Sequence, residues 1–78
     1  PSTMIDIETV EAGDLMVSVF DAKGRMVNNL MNSYLGAGRY SVKWNGMDAG
    51  GASMSTGVYF IRVQSGLDIH TQKMILIK

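Results

Sequence analysis

Short runs of alternating apolar and polar residues, divided by glycine-rich breaks, organise this chain. Period-2 alternation is the mark of a strand with one face buried. Thr3 to Thr9 sets Ile5 and Ile7 against Asp6 and Glu8, which predicts a half-buried strand. Glu11 to Asp14 predicts a turn, and Leu15 to Asp21 a second strand with Leu15, Val17 and Val19 on one side. Asp21-Ala22-Lys23-Gly24 predicts a hairpin turn that Gly24 closes at positive φ. Arg25 to Met31 keeps Val27 and Leu30 apolar but breaks strict alternation, so a short or bulged edge strand running into Asn32-Ser33-Tyr34 is expected.

Gly38 to Asn45 alternates cleanly, with Tyr40, Val42 and Trp44 on one face and Arg39, Ser41 and Lys43 on the other. Gly46 to Ser55 is small, polar and glycine-rich, and predicts the longest loop. Gly57 to Gln64 carries Tyr59, Ile61 and Val63 on one face and Val58, Phe60 and Arg62 on the other; apolar residues on both faces predict a central strand. After a turn at Ser65-Gly66, Ile69 to Lys78 predicts a last strand, with Met74 and Leu76 opposed to Ile75 and Ile77 and the chain ending inside it. Parallel pairs need crossovers of about a dozen residues or more, and the breaks are too short for them. The expected fold is therefore all-β: a small antiparallel sandwich of six to seven strands.

The chain has 78 residues, enough for one domain that buries roughly 60–65% of its unfolded surface. Seven basic and seven acidic residues cancel, so no long-range field attracts nucleic acid. There is no cysteine, which excludes disulfides and thiolate metal sites. An apolar stretch such as Met74 to Ile77 is far short of the roughly 20 residues of a membrane helix, and no membrane insertion is expected. The start at Pro1, without an initiator Met, suggests a piece processed or cut from a larger protein.

No enzyme site assembles from this pattern. His70 is the single histidine, and no nucleophile with a separate base forms around it by spacing; it is expected to face solvent on a strand. Asn45, Asp48 and Asp68 are conceivable oxygen ligands for calcium, but they lack the density of a dedicated loop. No catalytic residue, cofactor or metal is therefore assigned. Trp44 and the two tyrosines at strand spacing, Tyr40 and Tyr59, are expected in the core and not on a sugar-stacking platform, which needs rings facing solvent. The seven Met are expected to fill irregular gaps in the core, with adaptable binding as the other use. Gly38 and Gly57 each open a strand where the backbone is expected to require glycine. Lys73 to Lys78 reads as an edge strand whose charges discourage aggregation, and an exposed edge is equally a template for strand addition.

Several short blocks coincide, in order, with one family. Phe20 to Val27, followed by Leu30, resembles the "hydrophobic-aromatic-Asp-x-x-Gly-x-x-Val-x-x-Leu" hairpin of type IX secretion system C-terminal sorting domains of type A. The same pattern occurs in the immunoglobulin-like domain of the flagellar hook-capping protein. Ala37 to Gly46 is similar to the block "aGxyxvxWdG", with Asn45 where the family usually has Asp. Asp48 with Gly50 or Gly51 resembles the loop after it, Gly57 to Phe60 resembles "sGvYf", and Gln72 to Lys78 resembles the terminal "kKmvlik".

The resemblance implies an immunoglobulin-like sandwich over residues 1–78 that acts as the C-terminal secretion signal of an exported protein from Bacteroidetes-type lineages. The implied partners are an outer-membrane type IX translocon with its shuttle components, a surface sortase, and a cargo domain attached upstream. The implied location is the periplasm in transit, then the cell surface or the medium. Recognition would fall on Gly38, Tyr40, Gly57 and Tyr59 in the internal blocks and on Lys73, Met74, Ile75, Leu76, Ile77 and Lys78 in the last strand. The alternatives are a structural assembly or spacer module of the hook-capping type, and a carbohydrate-binding accessory domain of a hydrolase.

Overall fold

The computed structural model describes residues 2–78; Pro1, on which the expectation of processing rests, lies outside them. Six strands follow the alternating runs: β1 (Thr3–Thr9), β2 (Gly13–Asp21), β3 (Met26–Leu35), β4 (Gly38–Trp44), β5 (Gly57–Ser65) and β6 (Asp68–Leu76). β1 pairs with β4, and the other four form a sheet in the order β3-β2-β5-β6, with every pairing antiparallel. This is the small immunoglobulin-like sandwich the alternation and the resemblance imply, with six strands and not seven among the described residues.

The sheets close on each other through the apolar parity of each strand. Ile5, Val42 and Trp44 come from the two-stranded sheet, and Leu15, Val17, Val19, Val27, Tyr59, Ile61 and Leu76 from the four-stranded one. Each large apolar side chain taken fully out of water contributes about 1.5–3 kcal/mol. Trp44 and Tyr59 meet edge to face across the gap, with centroids 5.2 Å apart. Trp44 and Tyr59 thus lie inside, and Tyr40 packs half-buried against the core. The outer face of the small sheet is polar instead: Glu8 pairs with Arg39 at 3.0 Å and Asp6 accepts from Ser41 at 2.7 Å, each across the strand ladder.

Several expectations need correction. β3 is an edge strand and is bulged, at Val27 and Leu30 where the β2 pairing shifts, but with ten residues it is the longest strand and not a short one. Cross-strand pairing with the whole of β2 carries it through the broken alternation. β2 starts at Gly13, inside the expected turn, because Gly13 and Asp14 already pair with Leu35 and Tyr34. The last strand stops at Leu76, where Gly57 ends the register, so Ile77 and Lys78 lie beyond it. No Met reaches the buried core: Met4, Met26 and Met47 are exposed, and Met31, Met54 and Met74 pack against the core from its rim. The buried core positions are held by branched and aromatic side chains instead.

Candidate functional site

Gly38-Arg39-Tyr40 and Gly57-Val58-Tyr59 are built alike. In each, a glycine opens a strand, and the tyrosine two residues on sends its hydroxyl back to a carbonyl four residues upstream. Tyr40 Oη donates to the Gly36 carbonyl at 2.5 Å, and Tyr59 Oη to that of Ser55 at 2.6 Å. Each ring thereby passes its own glycine, within 4.0 Å of where a Cβ would stand. The device anchors the loop entering a strand to the strand itself. It satisfies a phenol that packs against the core while leaving its apolar ring there.

The glycines differ. Gly38 holds φ +154°, a conformation that side chains rarely adopt. Gly57 has no positive φ, and a Cβ there would meet only the Ser55 carbonyl and the Tyr59 ring at 4.0 Å. The expectation that the backbone demands glycine thus holds at 38 and fails at 57.

The residues implied in recognition fall into two groups. Gly38 and Tyr40 lie in the two-stranded sheet, at the end where Thr9 faces Gly38. Gly57 and Tyr59 lie at the other end and pair directly with Leu76 and Met74, while Val58 pairs with Ile75. Lys73 faces Phe60 across the ladder. Met74 is half-buried, Leu76 is buried, and Lys73, Ile75, Ile77 and Lys78 are exposed. Lys78 folds back onto the loop before β5: its N–H donates to Thr56 Oγ1 at 3.2 Å, and its ammonium to Ser53 Oγ. The second group is contiguous in the sheet, with Tyr59, Met74 and Leu76 turned to the core and the others along its surface, and the first group is apart from it.

Two turns frame that surface. Asp21 Oδ1 accepts the Lys23 and Arg25 N–H groups at 2.9 Å each, and Oδ2 meets Arg25 Nε at 3.2 Å. The Arg25 N–H above all, then the Lys23 N–H and the Arg25 charge, hold this carboxyl below the usual carboxylate range against some desolvation. A lowered native pKa adds stability that is complete above the unfolded value of about 4 and disappears as pH falls through the native one. Asp21→Asn keeps an acceptor for the turn but loses the charge. Its deficit against wild type in urea unfolding should be present at neutral pH and vanish at low pH; a deficit independent of pH would refute the charge argument.

In the Gly46 to Ser55 loop, Asp48 Oδ1 accepts the Gly50 and Ala52 N–H groups at 2.9 and 2.8 Å, and Asn45 Oδ1 accepts that of Met47 at 3.2 Å. These oxygens cap turns. Asn in place of the family's Asp supplies the same acceptor. The Met47 carbonyl receives both Trp44 Nε1 at 2.9 Å and Asn28 Nδ2 at 3.2 Å, which ties the loop to both sheets.

The outer face of the large sheet gathers apolar residues from three of the resembling blocks. Phe20 and Phe60 pair across β2 and β5, with the Arg62 guanidinium 4.6 Å from the Phe20 ring centre. Ser18 beneath is 1% exposed and accepts from Asn29 Nδ2 at 3.2 Å. Met26 and Ile75 flank this patch, 54% and 61% exposed. The signal was present in the second apolar face of Gly57 to Gln64, extended by the parity of Phe20 in β2. His70 is exposed on β6, as expected.

The model of the FlgD Ig-like domain family matches residues 3–68. Among solved structures, the crystal structure of FlgD from P. aeruginosa is similar to this chain, with 27% identity and a TM-score of 0.74 over 96% of the chain. The match spans 58% of the length of that FlgD chain. No curated protein matches.

Proposed function

Because the chain belongs to the FlgD Ig-like domain family, we propose that it acts as an assembly or spacer module of the flagellar hook-capping type, a rigid sandwich making protein–protein contacts inside a larger complex. The observation that carries this is the family match over residues 3–68 together with the shared fold over 96% of the chain. The side chains of the shared blocks support it. Asp21, Trp44, Asp48, Tyr40 and Tyr59 are spent on turns, loops and core, which stiffens the body. The test is a chimera in which this chain replaces the matching region of P. aeruginosa FlgD. Restored swimming is the expected result, and a stable, exported chimera that leaves cells non-motile would overturn it.

A second reading rests on the residues beyond the family match. Residues 69–78 carry the terminal block that resembles the sorting signal, and Ile69 to Leu76 form the edge strand of the large sheet, paired with β5 from Gly57 onward. In this reading the edge is presented to an outer-membrane translocon and its shuttle components, the chain passes through the periplasm to the surface or medium, and a sortase acts on it there. A reporter fused ahead of the chain, in a host with this secretion system, separates the two. Export that requires residues 73–78 supports sorting. A reporter retained in the periplasm with the chain intact leaves the assembly reading alone.

A further inference from the structure

We propose that β6 pairs edge to edge, antiparallel, with β6 of a second copy of this chain, around a two-fold axis through Gln72. This goes beyond the assembly reading and does not rest on it, since the strand edge is there whatever the chain is joined to.

The large sheet ends in β3 on one side and β6 on the other, and the two edges are built differently. β3 is interrupted by two bulges, which twist an edge and spoil it as a template. β6 keeps an unbroken register with β5 over nine pairs, from Gly57 with Leu76 to Ser65 with Asp68. It contains no proline or glycine, and its backbone groups on the outer side are ready to pair.

The side chains select the partner. Full overlap of Asp68–Leu76 with its own reverse puts Gln72 opposite Gln72, where two neutral amides face each other. The same register puts Ile69 opposite Ile75 of the other copy, and does so twice. These are the two most conspicuous apolar side chains on the strand, 55% and 61% exposed. Thr71 then faces Lys73, so the two Lys73 ammonium groups are offset instead of opposed. A branched pair directly across a ladder stabilises it, and like charges directly across weaken it. The β1 edge of the small sheet shows the contrast: its full self-overlap would set Asp6 against Asp6. A net charge of zero removes the general repulsion between copies. The product is one eight-stranded sheet whose outer face carries the Phe20, Phe60 and Ile75 patches of both copies side by side.

The absence of cysteine makes the register directly testable. Single Thr71→Cys, Gln72→Cys and Lys73→Cys variants of the 78-residue chain are oxidised with copper phenanthroline, while sedimentation follows wild type and Gln72→Lys over a concentration series. The expected result is a covalent dimer at position 72 in large excess over 71 and 73. Wild type should show a monomer–dimer equilibrium that Gln72→Lys weakens severalfold with an unchanged melting curve. Equal cross-linking at all three positions, a wild type that stays monomeric at every concentration, or a dimer indifferent to Gln72→Lys would each overturn the proposal.

Discussion

Trp44→Ala should cost about 3–5 kcal/mol. A domain of this length has in all about 4–12 kcal/mol, so the variant should give up at least about a quarter of its stability and melt well below wild type. The ring is 1% exposed and meets Tyr59 edge to face, and its indole N–H holds the Met47 carbonyl. Truncation therefore opens a cavity between the sheets and releases the Gly46 to Ser55 loop together. Trp44→Phe separates the two effects: it refills much of the volume but cannot donate, and it should lose about 1 kcal/mol or more for the hydrogen bond alone. Urea unfolding followed by circular dichroism measures both. A Trp44→Ala variant with an unchanged midpoint would mean that the ring does not hold the sheets together.

The glycine pair gives the second large contrast. Gly38→Ala should destabilise by about 1–3 kcal/mol, because the backbone at φ +154° is strained for any residue with a Cβ, although there is space for the atom. Gly57→Ala should be neutral or stabilising by up to about 1 kcal/mol, since the unfolded chain loses freedom and nothing in the native state resists. Equal losses at both positions would contradict this account. If Gly57→Ala keeps its stability but abolishes export in the reporter assay, the glycine is a contact for a partner. That outcome would favour the sorting reading over the assembly one.

Much of the sandwich was legible because its strands obey the simplest rule available. Ile5, Val17, Val19, Val42, Trp44, Tyr59 and Ile61 all lie on the parity that alternation assigned to the core. The Asp21 turn was legible for the same reason: an Asp followed three residues later by Gly is chemistry within one loop. β3 was harder, since Val27 and Leu30 break alternation and only pairing with β2 shows that each break is a bulge. The methionines were misplaced because flexibility fits them equally for a gap or a rim, and composition cannot tell which exists. Gly57 was misjudged because a glycine at a strand start looks the same in sequence whether or not its φ is positive.

The surface around β6 divides along the same line. Local pattern alone determined that a last strand starts near Ile69, that Met74 and Leu76 share one of its faces and Ile75 the other, and that the chain holds a packed β core with Trp44 inside it. Parity and turn chemistry act between residues a few positions apart, so one sequence carries them. Only the tertiary structure decided that this strand lies at an unbulged edge, that Gly57 and Tyr59 abut it while Gly38 and Tyr40 lie at the far end, and that Lys78 returns to Ser53. Those facts depend on which strands become neighbours, and that choice is made by the burial of the whole apolar face at once.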